Sequence, residues 1–269
     1  MDPVSQLIAM PALRGASQIA GLLLARLLPI IVLTPVFGGQ AMPRRLRMGI
    51  AIAFTGALLP SFMPLFSRTI PTTDFIVLLA KEGAVGLILA LFIQIMFETI
   101  ATVGALIDLA RGATLANVFD PLTQDQQSIL AALFTQFAIV LFVSIGGMQL
   151  LFRTLAETFV LLPPLQLLPT TEFGPAATET PIALVSSLFL LAVQLGAPAV
   201  VVLFLTDFAL GVINRVAPQI QVFFLGMTGK GSIGLIVVLA GLGIFTDLTI
   251  SHFATFIAAM RHWATVMGS

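Results

Sequence analysis

The chain has 269 residues, 58% of them hydrophobic and only 9% charged, with twelve Lys+Arg against twelve Asp+Glu. A soluble domain carries about 25% charged residues and needs polar cover, so this composition excludes a soluble enzyme, and its apolarity excludes disorder. With no Cys there is no disulfide framework or thiolate site, and a net charge of zero offers no basic excess for nucleic acid. An all-α, polytopic membrane protein remains, or a subunit buried in a larger apolar assembly.

A membrane-crossing helix needs about 20 mostly apolar residues. Six stretches meet or approach that length: Gly15–Phe37, Met48–Phe66, Phe75–Ala110, Ser128–Phe152, Ile182–Thr206, and Ser232 to Phe245 or beyond toward Ala264. The first carries Arg26, is too long for a signal-peptide core and lacks a small-residue cleavage site, so it is expected to stay in the mature chain. Pro60 and Pro64 interrupt the second, and Pro198 falls inside the fifth. The connections are short. Gly38–Arg47 holds Arg44, Arg45 and Arg47, and Leu162–Pro181 holds five of the sixteen prolines. Placing Gly38–Arg47, Arg111–Gln127 and Asp207–Gly231 in the cytoplasm puts six Lys/Arg there against four on the other side, with both termini outside.

The third stretch is the odd one. It runs for 36 residues and carries Lys81, Glu82, Glu98 and Asp108. Each charge costs about 2.5–3.5 kcal/mol at a bilayer centre, so this helix is expected to face protein or water. Lys81, Glu82, Glu98 and Asp108 are therefore candidate buried charges or ion pairs. Asp108 and Arg111, three apart, suit a pair on the last helical turn. Small residues at four-residue spacing, Gly86/Ala90 and Ala101/Ala105, permit close helix approach.

Familiar chemistry is missing. Gly226–Ser232 imitates a phosphate loop, but position 224 is Phe and Gly231 follows Lys230, so it is expected to be a turn before the sixth helix. A Ser232/His252 hydrolase dyad lacks a third group, and His252 is expected at a helix end or with its polar side out. His252 and His262 are ten apart, not the three to five of a helical zinc pair. No catalytic, metal or cofactor site is expected. A small-molecule or ion transporter with broken helices is the alternative to a structural or channel role. It predicts an inverted repeat, and none is visible.

Two polar interruptions stand out. One is Ile107–Pro121, where Gly112 frees the backbone and Asp120-Pro121 stops any helix. The other is Gly211–Gln221, with Asn214, Arg215, Pro218, Gln219 and Gln221 about a bend. Together with Lys81–Gly86 and Pro43–Leu46, these segments make the chain resemble the SctT/FliR family of export-gate proteins of type III secretion systems. The Arg111-Gly-Ala-Thr114 version is similar to the virulence branch.

The resemblance implies a non-enzymatic subunit that assembles with SctR-type and SctS-type subunits and meets an SctU-type switch protein. The assembly is a helical cone in the bacterial inner membrane, standing partly above the membrane plane, through which unfolded substrates pass. It implies one compact unit in two parts, an SctR-like 1–181 and an SctS-like hairpin 182–269, with lipid around them and no soluble domain. It gives Arg111, Gly112, Ala113, Thr114, Leu115, Ala116, Asn117, Val118, Phe119, Asp120 and Pro121, within a loop 111–124, the role of a pore plug. Asn214–Gln221 would be the cytoplasmic mouth. The isolated chain is expected to be poorly stable, because its charged third helix would lack partners.

Overall fold

The computed structural model describes residues 11–37, 42–66, 70–112, 128–167, 175–217, 219 and 222–268. Among the described residues every regular element is helical. The α-helices are α1 (Pro11–Leu33), α2 (Arg44–Leu58), α3 (Thr72–Arg111), α4 (Ile129–Ser144), α5 (Gly147–Leu161), α6 (Pro175–Val216) and α7 (Val222–Gly268). Short 3-10 turns follow α1 at Pro35–Phe37 and α2 at Leu59–Leu65. Pro60 and Pro64 explain the second: neither can donate an i→i−4 bond, so the helix tightens instead of continuing. Among the described residues five helices are long and apolar enough to cross a membrane, or six crossings if the broken pair α4/α5 makes one. The chain is an all-α, multi-pass membrane protein.

Three sequence expectations need correction. The fourth apolar stretch is two helices, not one. Gly146 takes a left-handed φ of 79° at the break, and a Cβ on Gly147 would stand 2.5 Å from the Phe142 ring. The last two helices start earlier than hydropathy suggested, at Pro175 and Val222 rather than Ile182 and Ser232. Gly226–Ser232 is therefore helical and not a turn. Its polar and glycine content is tolerated because α7 packs there on α6: a Cβ on Gly226 would touch Leu210, and Lys230 pairs with Asp207.

Helices α3, α6 and α7 have 40, 42 and 47 residues. At 1.5 Å per residue they are about 60–70 Å long, roughly twice the hydrocarbon core of a bilayer.

Packing divides the chain into two compact units. One comprises residues 1–94, 148–182 and 256–269; the other comprises 95–147 and 183–255. Helices α3 and α7 each contribute to both units. In the first unit, Ile19, Leu23, Leu27 and Ile31 on one face of α1 pack with Phe37, Ala51 and Phe159. Phe54 and Phe152 stack at 4.2 Å between centroids beside them, and Phe92 meets Trp263 at 5.8 Å. In the second unit Phe97, Phe142 and Phe253 form a mutual triangle with centroids 5.1–5.6 Å apart.

Candidate functional site

Two clusters gather four of the charged residues of α3, Lys81 and Glu82 in one compact unit and Asp108 and Arg111 in the other. In the first unit Arg26 of α1 and Glu82 of α3 are both fully buried. The guanidinium grips the carboxylate with both forks: Nε donates to Oε2 at 2.5 Å and Nη2 to Oε1 at 2.8 Å. Its remaining donors reach the carbonyls of Thr158 at 2.9 Å and Leu162 at 2.7 Å, where α5 ends. The Phe159 ring lies 4.2 Å beneath it. Lys81 Nζ pairs with the same carboxylate at 2.5 Å and donates to the carbonyls of Pro163 and Gln166. Two cations thus share one anion, and the surplus positive charge faces the carbonyls at the C-terminus of α5, the negative end of its dipole. The approach is tight, because a Cβ on Gly86 would stand 2.2 Å from the Arg26 carbonyl oxygen.

In the second unit Asp108, nearly buried in the last turn of α3, pairs with Arg111. Its other oxygen accepts from Ser128 Oγ at 2.5 Å and from the Leu130 amide at 2.9 Å. Ser128 is also the N-cap of α4, its Oγ accepting from the Ala131 amide at 3.0 Å. One carboxylate therefore ties the end of α3 to the start of α4, closing the base of the segment between them. Gly112, with φ of 74°, turns the chain out of α3. Gly104 lets the helices meet, since a Cβ there would stand 2.5 Å from the Leu130 and Ala131 backbone. Gly234 of α7 makes room for the Arg111 side chain in the same way, and Lys230 Nζ lies 3.5 Å from the Ala110 carbonyl.

Lys81, Glu82, Asp108 and Arg111 all find partners inside the chain. A lack of partners on the third helix is therefore not what would destabilise the isolated protein. Glu98 departs from the buried-charge group: it is exposed on α3. Asn214 and Arg215 in the last turn of α6, and Gln219 beyond it, are exposed too. Pro218, Gln221 and the plug-loop residues Ala113 to Pro121 lie outside the described residues. Ser232 and His252 form no dyad, being twenty residues apart on one helix, about 30 Å. His252 is buried mid-helix and bonded to the Met96 backbone, not at a helix end.

Arg26 and Ser128 are the site residues that motif reading missed. A signal for Arg26 existed: no acidic residue occurs between Asp2 and Asp74, so a buried arginine there must take its counter-charge from farther along.

The description "Bacterial export proteins, family 1" matches residues 18–256, which contain both clusters. The chain belongs to this family. Among its relatives, the flagellar biosynthetic protein FliR of Bacillus subtilis is 28% identical over 248 residues, 92% of this chain and 95% of that protein. The Yop proteins translocation protein T of Yersinia pestis is 30% identical over 217 residues, 79% of this chain and 81% of that protein. The secretion system apparatus protein SsaT of Salmonella typhimurium is 29% identical over 196 residues, 72% and 74% of the two chains. Family members are structural components of export apparatus, not enzymes, and this chain is a component of a type III export apparatus.

Proposed function

We propose that this chain is a core subunit of the inner-membrane export gate of a type III secretion system. It forms, with SctR-type and SctS-type subunits, the channel through which unfolded substrates pass. The observation that carries the reading is surface the chain leaves uncovered: in an apolar 18-residue stretch of Pro181–Val216 only 28% of residues are buried, and in one of Thr228–Gly268 only 22%. Helices about twice as long as a bilayer is thick cannot all be covered by lipid, which favours neighbouring protein and a position partly above the membrane plane. The SctR-like 1–181 and SctS-like 182–269 parts are the surfaces proposed for those neighbours. Arg111-Gly-Ala-Thr114 favours an injectisome, hence a role in virulence, over a flagellum.

In this reading residues 111–124 form the plug, and the Asp108 clasp holds its two ends together. Leu115, Val118 and Phe119 supply the apolar material that excludes water. Deleting Thr114–Phe119 is expected to let ions or a small dye through membranes containing the assembled gate. Membranes containing this chain alone should stay tight, having no pore. No leak from the assembled deletion would place the seal in partner subunits.

Asn214–Gln221 is proposed as the cytoplasmic mouth, where an SctU-type protein docks. Arg215 sits in the last turn of α6, where a cation complements the helix dipole and a carboxylate opposes it by about 0.3–1 kcal/mol. That cost is too small to unfold a 42-residue helix. Arg215→Glu should therefore leave membrane levels unchanged while impairing secretion. Normal secretion by this variant would make the turn a simple connection.

A further inference from the structure

We propose that the start of α2 is a binding site for the headgroup of an anionic phospholipid. Arg44 and Arg45 are exposed and Arg47 is half-buried. Arg47 is oriented by Nη1, which donates to the Val32 carbonyl at 3.2 Å in the last turn of α1. Among the described residues none of the three arginines has an ion-pair partner. The sequence explains why: Asp2 and Asp74 bracket a stretch without a single carboxylate, and Asp74 belongs with the opposite end of the 44–65 span.

Local backbone adds to the charge. The N-cap is Pro43, which supplies no side-chain cap, and the first turn of α2 contains no acid. Three guanidinium groups thus crowd the positive end of a helix dipole, an arrangement that self-repels unless an anion sits over it. A phosphate diester fits: guanidinium forks bind its oxygens in pairs.

The surface below selects a lipid over a soluble anion or an acidic protein segment. Met48 and Ile52, in the next two turns, are 47% and 59% exposed. Ile52 lies about 12 Å down the helix axis from Arg44, at the depth acyl chains occupy when a headgroup is held above. Charge over an uncovered apolar face is the pattern of one amphiphile bound at both ends.

Native mass spectrometry of the full-length chain, isolated with whatever co-assembles in mild detergent, tests this with added phosphatidylglycerol and phosphatidylcholine. Wild type should retain phosphatidylglycerol over phosphatidylcholine by about tenfold or more, taking a modest share of the surface attraction of three arginines. The Arg44→Gln/Arg45→Gln/Arg47→Gln variant should bring the ratio near one, whereas Arg14→Gln, an exposed arginine elsewhere, should leave it unchanged. A triple Arg→Lys variant keeps the charge and should keep part of the preference, distinguishing lost recognition from lost folding. Equal retention of the two lipids by wild type, or an undiminished preference in the triple Gln variant, overturns the proposal. So does displacement of the lipid by millimolar inorganic phosphate or by a polyglutamate peptide, which would mean that the arginines read a free anion or an acidic protein.

Discussion

Glu82→Gln should be among the most damaging single substitutions in this protein. It leaves Arg26 and Lys81 buried with no anion between them, and uncompensated buried charge costs about 3–5 kcal/mol. For a chain of this size that corresponds to a loss of roughly 10 °C in unfolding temperature. Scanning thermal unfolding in native membranes, with protease sensitivity as a second readout, measures it. Lys81→Met should cost less, because it removes a cation and leaves Arg26 and Glu82 matched. Combining Arg26→Met with Glu82→Gln should cost less than the sum of the single changes, since each removes the partner the other would strand. A Glu82→Gln protein that melts with wild type would mean that the carbonyls at the end of α5 neutralise the cations unaided.

Gly104→Ala should produce the second large effect, through backbone rather than charge. The added methyl would meet the Leu130 and Ala131 main chain at 2.5 Å, and main chain cannot rotate away as a side chain does. The start of α4 must move off α3, at an overpacking cost of about 1–3 kcal/mol. The same displacement draws Ser128 and the Leu130 amide away from Asp108, adding about 1 kcal/mol or more for the lost hydrogen bonds. Ser128→Ala removes one of those bonds together with the N-cap bond to the Ala131 amide but adds no clash, so Gly104→Ala should lower stability clearly more than Ser128→Ala. Equal effects would show that the helices separate without resistance at Gly104. Under the gate reading, Gly104→Ala should also raise ion leak through assembled gates, because the ends of the plug segment are no longer held together.

Glu82 and Gly104 show what a single sequence does and does not disclose. Hydropathy located every spanning helix, because burial in lipid needs only length and apolarity. It could not locate their ends. Polar residues such as Thr228, Lys230 and Ser232 continue α7 when a neighbouring helix satisfies them, as Asp207 does for Lys230. Four-residue spacing pointed to Gly86, where α1 does come close, but also to Ala101 and Ala105; the other close backbone approach to a glycine of α3 is at Gly104, outside that pattern. Small residues permit contact without causing it, and only the path of the opposing backbone decides which are used. The charges were legible as anomalies, because an ion in an apolar stretch demands a partner. Their pairing was half legible. Asp108 and Arg111 are neighbours on a helix, so spacing suffices, whereas Arg26 and Glu82 are 56 positions apart and meet only through the fold. Glu98 looked the same as its neighbours in sequence, yet it faces outward. Which side of a nearly uniformly apolar helix a residue occupies is fixed by packing, and α3 has almost no polar face to betray it.

The crosswise division of the chain bears on the order in which the protein matures during synthesis. Arg26 and Glu82 can meet once the first three helices are made, but the carbonyls that complete their cluster arrive with α5. The unit containing them still lacks its last piece until residues 256–268 emerge, where Trp263 takes its place against Phe92. At about 5–20 residues per second, the early helices wait some ten seconds or more for that segment. Through that interval an apolar seat lined by α3 stands open, a natural window for an insertase or chaperone to hold the nascent chain.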